Sequence, residues 1–127
     1  MLVLIVEDNR VCAEVMAAYF RHRGARAVIA RDGAEAMRIT GRERPEAVVL
    51  DIALPEVDGV AFLEALRADA ALAATPVVVA TAVTDERVRR RVGELGAVAC
   101  LVKGHCSLQE VFELVAAHAR PAASRAA

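Results

Sequence analysis

The chain is 127 residues long, 57% hydrophobic and 26% charged, with a formal net charge of −1. That length fits one compact domain with a proper buried core, and the near-neutral balance offers no bulk attraction to nucleic acid or to an acidic membrane. No apolar run approaches the roughly 18 residues of a membrane span, no secretory signal is expected after Met1, and three cysteines (Cys12, Cys100 and Cys106) lack metal-ligand spacing, so a reducing cytoplasmic setting is expected and not a disulfide framework.

In chain order, Leu2–Val6 is a short apolar run ending at Glu7-Asp8 and reads as a buried strand. Asn9 caps a first helix whose apolar stripe is Val11, Cys12, Val15, Met16, Tyr19 and Phe20, with Gly24 ending it. Residues 27–30 read as a second strand. Asp32 and Glu35 have capping-box spacing and open a second helix that stops near Gly41. Ala47–Leu50 is a third strand, ending at Asp51. Pro55 and the Asp58-Gly59 pair mark a loop, after which Val60, Phe62, Leu63 and Leu66 carry a third helix. Pro76 introduces a fourth strand over residues 77–80, ending at Thr81. Thr84 caps a fourth helix with a thin stripe of Val88, Val92 and Leu95. Residues 98–102 form a fifth strand, ending at Lys103. Ser107 and Glu110 make a capping box for a fifth helix through Leu108, Val111, Phe112 and Val115. Residues 1–119 are thus expected as one domain, and residues 120–127, rich in small side chains, as a frayed tail with no output module.

Five strands alternating with five helices imply right-handed crossovers and a parallel sheet covered on both faces. In such a sheet ligands bind outside the carboxyl ends of the strands, where strand order reverses. The strand ends here are polar: Glu7-Asp8, Asp51, Thr81 and Lys103. With the order 2-1-3-4-5, the first and third strands are neighbours, so Glu7, Asp8 and Asp51 converge, flanked by Thr81 and Lys103. Three close carboxylates repel unless a cation lies among them. Hard oxygen ligands describe a Mg²⁺ site. Lys103 is the only lysine among 16 basic residues, and a compact ammonium kept at one place suits a phosphoryl oxygen. A threonine hydroxyl can bond to another. Asp is an established nucleophile for aspartyl phosphate.

The set Val6-Glu7-Asp8-Asn9, the segment from Asp51 to Gly59, Thr81-Ala82 and Lys103 resembles the response-regulator receiver family over nearly the whole chain. The resemblance implies an α/β, flavodoxin-like, doubly wound five-stranded parallel sheet with five helices. It implies a phosphoacceptor at Asp51, with Mg²⁺ held by Asp8, Asp51 and the backbone carbonyl of Ala53, and Glu7 acting through water. Lys103, Thr81 and Ala82 would bind the phosphoryl group. The implied partners are a histidine kinase or histidine phosphotransfer protein and a downstream protein, without nucleic acid or membrane insertion. The implied role is a single-domain regulator that signals by altered binding or onward relay, and is not an enzyme beyond its own phosphorylation and dephosphorylation. Two positions depart from the family: Cys100 stands where an aromatic residue is usual, and Gly104 where proline is usual. Cysteine is too small to fill the space of a swinging ring, so a smaller surface change on the fifth strand and helix is expected, which favours a relay.

Two other functions are compatible with parts of this pattern: a phosphate-independent receiver scaffold, and a small hydrolase using Asp51 on a metabolite. The intact Glu7, Asp8, Asp51, Thr81 and Lys103 argue against the first, and no cap region or deep specificity pocket is evident for the second. The fourth helix, with Arg87, Arg89, Arg90 and Arg91, suggests a face for an acidic partner, and His105 lies near the candidate site.

Overall fold

The computed structural model describes residues 1–54 and 59–120. The elements are β1 (Leu2–Val6), α1 (Arg10–His22), β2 (Arg26–Ala30), α2 (Gly33–Glu43), β3 (Ala47–Leu50), α3 (Gly59–Ala68), β4 (Val77–Thr81), α4 (Glu86–Glu94), β5 (Ala99–Val102) and α5 (Leu108–His118). The expected loop residues Pro55 and Asp58 lie outside the described residues, as does the expected tail from residue 121 onward.

The strands form one parallel sheet in the order β2-β1-β3-β4-β5. The three inner strands are apolar along their length because both of their faces are covered. Leu4, Val6, Val48, Leu50, Val77 and Val79 face one way, into a core with Ile39, Phe62, Leu63, Leu66 and Val92 from α2, α3 and α4. Val3, Ile5, Val49, Val78 and Ala80 face the other way, against Ala17, Phe20, Val111, Phe112 and Val115 from α1 and α5. Each of the Val, Leu, Ile and Phe side chains contributes about 1.5–3 kcal/mol on full burial, and the alanines less, so the two layers are the main apolar source of stability. They also fix the strand register that aligns the carboxyl ends.

Local chemistry explains the boundaries. Asn9 accepts the Cys12 N–H at 3.0 Å to start α1, and Asp32 accepts the Glu35 N–H at 2.8 Å to start α2. Ser107 and Glu110 form the full reciprocal capping box of α5, both bonds at 3.0 Å. Three expectations need correction. The core face of α1 is Ala13, Ala17 and Phe20, while Val11, Cys12 and Val15 are exposed; the small alanines let the helix lie close to the sheet, which larger side chains there would prevent. The cap of α4 is Asp85, whose carboxylate accepts the Arg87 N–H at 2.8 Å, not Thr84; a carboxylate also gains from the helix dipole. The second helix runs past Gly41 to Glu43 and closes on Arg44 in the left-handed region at φ 49°.

Two glycines shape the loops at the sheet's carboxyl end. Gly59 is the first residue of α3, not part of a loop, and its amide donates to the Ile52 carbonyl at 3.0 Å. A Cβ there would fall 2.3 Å from Ile52 Cα and 2.8 Å from the Asp51 carbonyl oxygen, so only glycine lets α3 begin against the segment that follows β3. Gly104 has φ +86°, and the His105 N–H donates to the Val102 carbonyl at 3.0 Å. This is the requirement of a type II turn at its third residue, and it leaves Lys103 as the second.

Candidate functional site

Register brings the candidate residues together. Val6 pairs with Leu50, so Glu7 and Asp51 leave adjacent strands side by side. Thr81 pairs with Val102, and the Lys103 amide donates to the Thr81 carbonyl at 2.9 Å, which places the lysine next to β4. The structure thus joins residues separated by up to 96 positions.

The centre is a three-group contact. Lys103 Nζ donates to Glu7 Oε1 at 2.6 Å and to Asp51 Oδ2 at 2.8 Å. The other Asp51 oxygen, Oδ1, accepts the Ala53 N–H at 3.0 Å. Thr81 is fully buried, and its hydroxyl oxygen accepts the Val83 N–H at 3.2 Å. Glu7 and Asp51 are both buried, while Asp8 is exposed at the rim. Ala82 and Ala53 are exposed beside them.

The charges are unequal in fate. Burial raises the Glu7 carboxyl to about 7 from 4.5, and Asp51 beside it raises it further than Lys103 lowers it. Burial also works against an ionised Asp51, but the neighbouring Glu7, Lys103, Ala53 amide and Thr81 outweigh it, and its carboxyl is held below the usual 3.8. Burial works against a charged Lys103 too, yet its bonds to Asp51 and Glu7 hold its ammonium above the usual 10.5. The pattern is one ionised carboxylate, one carboxyl that keeps its proton to near neutrality and one ammonium. Two titratable carboxyls whose environments push them apart are a common mark of a working site.

The same corner suits a cation. Oxygens of Glu7, Asp8 and Asp51 lie within 4.8 Å of one another. Glu7 Oε2 is buried and has no hydrogen-bond partner among the described residues. A buried carboxylate oxygen without a partner is costly unless something binds it. An all-oxygen donor set of this kind matches a hard divalent ion such as Mg²⁺.

One feature escapes sequence reading. Val11, Cys12, Val15 and Met16 of α1 face Cys106, Leu108 and Val111 across a groove of about 310 Å³, and Lys103 and Gly104 also line it. The groove therefore opens beside the acidic cluster. Its signal in the sequence is an apolar surplus on α1: Ala13, Ala17 and Phe20 already fill the core face, so the valines must lie on another. A larger cavity of about 500 Å³ lies at the opposite end of the sheet, near Pro76 and Val98. Its Arg67 is committed to the backbone carbonyls of Leu95, Ala73 and Thr75 at 2.7–2.9 Å, which clamps the loops flanking β4. His105 is exposed in the turn after Lys103, and Cys100 is half-buried against the core on the α2–α4 side.

Comparison with known proteins places this geometry. The profile of the response regulator receiver domain family matches residues 3–116. The Regulator of RpoS from Escherichia coli K12 is 32% identical over 113 residues, covering 89% of this chain and 33% of that protein. The chain spans about a third or less of the length of the curated relatives it matches first. Among solved structures, a response regulator receiver protein from Pseudomonas putida is similar at a TM-score of 0.86 and 31% identity, covering 91% of this chain and 95% of that one. The Mn²⁺-bound form of response regulator Rcp1 is similar at a TM-score of 0.76 and 27% identity, covering 90% and 88%.

Proposed function

The chain belongs to the response regulator receiver domain family, whose members are phosphoacceptors of signalling pathways, and from that premise we propose that Asp51 is the residue that accepts the phosphoryl group, from a phosphohistidine donor. The observation that carries this reading is the Lys103 ammonium bridging Glu7 and Asp51 at 2.6 and 2.8 Å, with Asp51 held ionised. An ionised carboxylate at the end of a central strand is a competent nucleophile. Its oxygen attacks phosphorus, the P–N bond breaks, and the electron pair stays on the imidazole nitrogen of the donor. Lys103 balances negative charge that spreads onto the phosphoryl oxygens. The Thr81 hydroxyl, at the end of β4, and the amide of Ala82 after it would bond those oxygens.

Asp8, Asp51 and the Ala53 carbonyl would hold Mg²⁺, with Glu7 acting through water. The unpartnered Glu7 Oε2 supports this, and so does the Mn²⁺ in the similar Rcp1 structure. Bound there, the ion would neutralise phosphoryl charge and orient the attack in line. Exposed Val11 and Val15 beside the groove support docking of an apolar helix of a histidine kinase or phosphotransfer protein. The phosphorylated domain signals through altered protein binding or passes the group on. The small Cys100 favours the relay. Among the described residues no helix is long and apolar enough to cross a membrane.

Incubation with acetyl phosphate and Mg²⁺ tests the reading. The wild-type protein should gain one phosphoryl group by mass spectrometry and Asp51→Asn none. Equal labelling of the Asn variant would move the acceptor elsewhere.

A further inference from the structure

Four of the 16 basic residues stand within five positions of α4: Arg87, Arg89, Arg90 and Arg91. The helix turns Val88 and Val92 toward the core, and Val92 is its one fully buried residue among those described. Arg91 is already engaged. Its Nη2 lies 2.8 Å from Glu64 Oε2 on α3, and its Nη1 lies 3.6 Å from Glu94 Oε1. Among the described residues, Arg87, Arg89 and Arg90 have no carboxylate within ion-pair distance. Arg87 and Arg90 are both exposed and three residues apart, so they are neighbours on one outward face and repel each other.

We propose that this face of α4 docks a carboxylate-rich segment of a partner protein, two of whose acidic side chains take the Arg87 and Arg90 guanidiniums. A guanidinium presents paired N–H donors that match a planar carboxylate. The face is short, about 6 Å along the helix axis from Arg87 to Arg91. Carboxylates bound it: Asp85 and Glu86 before it, Glu94 after it and Glu64 beside it. One or two acidic side chains fit that window. A phosphodiester backbone running on in either direction meets like charge, and the net charge of −1 gives no wider basic track to hold it. The inference is independent of the chemistry at Asp51.

Isotope-labelled full chain titrated with a poly-glutamate peptide at low ionic strength, and separately with a single-stranded oligonucleotide of matched charge, tests it. The peptide should shift the backbone amides of residues 86–94. Arg87→Ala combined with Arg90→Ala, both on the solvent face, should weaken peptide binding roughly five- to tenfold, as expected for two exposed ion pairs. The proposal is overturned if the wild-type shifts avoid α4, if the double variant binds the peptide as well as wild type, or if the oligonucleotide binds α4 more tightly than the peptide does.

Discussion

Glu7→Gln should make the stability of the metal-free domain less sensitive to pH. Glu7 is 5% exposed, and burial, with Asp51 beside it, raises its carboxyl from 4.5 to about 7 against the pull of Lys103. In the unfolded chain the group loses its proton near 4.5, while in the folded chain it keeps it to about 7. Between those values the unfolded state binds fewer protons, so the stability is fully present below 4.5 and is lost as pH rises through 7. Asp51 is held below 3.8 and Lys103 above 10.5, so the changes they bring fall outside that window. At about 1.4 kcal/mol per pH unit, the raised carboxyl costs on the order of 3 kcal/mol when fully ionised. Part of that is already lost by about pH 5, because the unfolded group titrates near 4.5, so a loss of about 2–3 kcal/mol is expected between about pH 5 and about pH 8. Glutamine has the same shape and cannot titrate. Urea unfolding in chelator at about pH 5 and about pH 8 measures this, and wild type should lose stability across the interval relative to the variant. Parallel pH profiles for the two proteins would refute the reasoning, because they would mean that Glu7 is not held protonated in the fold.

Gly59→Ala should cost about 1–3 kcal/mol in denaturant unfolding, because its Cβ would overlap backbone that cannot yield cheaply; an unchanged midpoint would show that α3 can draw back from Ile52. Gly104→Ala should cost about 1 kcal/mol for its left-handed φ. Gly104→Pro, the residue usual in the family, should weaken acetyl phosphate labelling, because φ +86° is closed to proline and the turn that presents Lys103 must change; labelling at the wild-type rate would show that Lys103 does not depend on that turn. Cys100→Tyr should enlarge the chemical-shift changes around residues 98–112 on phosphorylation. Large changes already present in the wild type, with none added by the substitution, would remove the support for a relay.

The strands and the polar residues that end them were legible because a fully covered parallel strand reads as an unbroken apolar run, while the strand order came with the receiver resemblance. A charged residue placed directly after such a run is conspicuous, as Asp51 and Lys103 are. The core face of α1 was legible only in part: Phe20 is in the core with Met16 and Tyr19 packed against it, but hydrophobicity favours Val11 and Val15 over Ala13 and Ala17, while close approach to the sheet favours the smaller side chains. Thr84 and Asp85 are both good caps at adjacent positions, and only the path of the backbone decided between them. The position of Gly59 inside a helix follows from a contact with Ile52, which local turn chemistry does not encode. The sequence suggested a water-mediated metal role for Glu7. Its direct contact with Lys103 and its raised carboxyl depend on burial and on a partner 96 positions away.

The central claim is that the phosphoryl group resides on Asp51, and the most direct measurement is chemical trapping of the acyl phosphate. Phosphorylated protein reduced with borohydride and digested should yield the peptide spanning β3 with homoserine in place of Asp51, and Asp8 should remain aspartate. Homoserine at Asp8 or at any other acidic position, with Asp51 intact, would contradict the account.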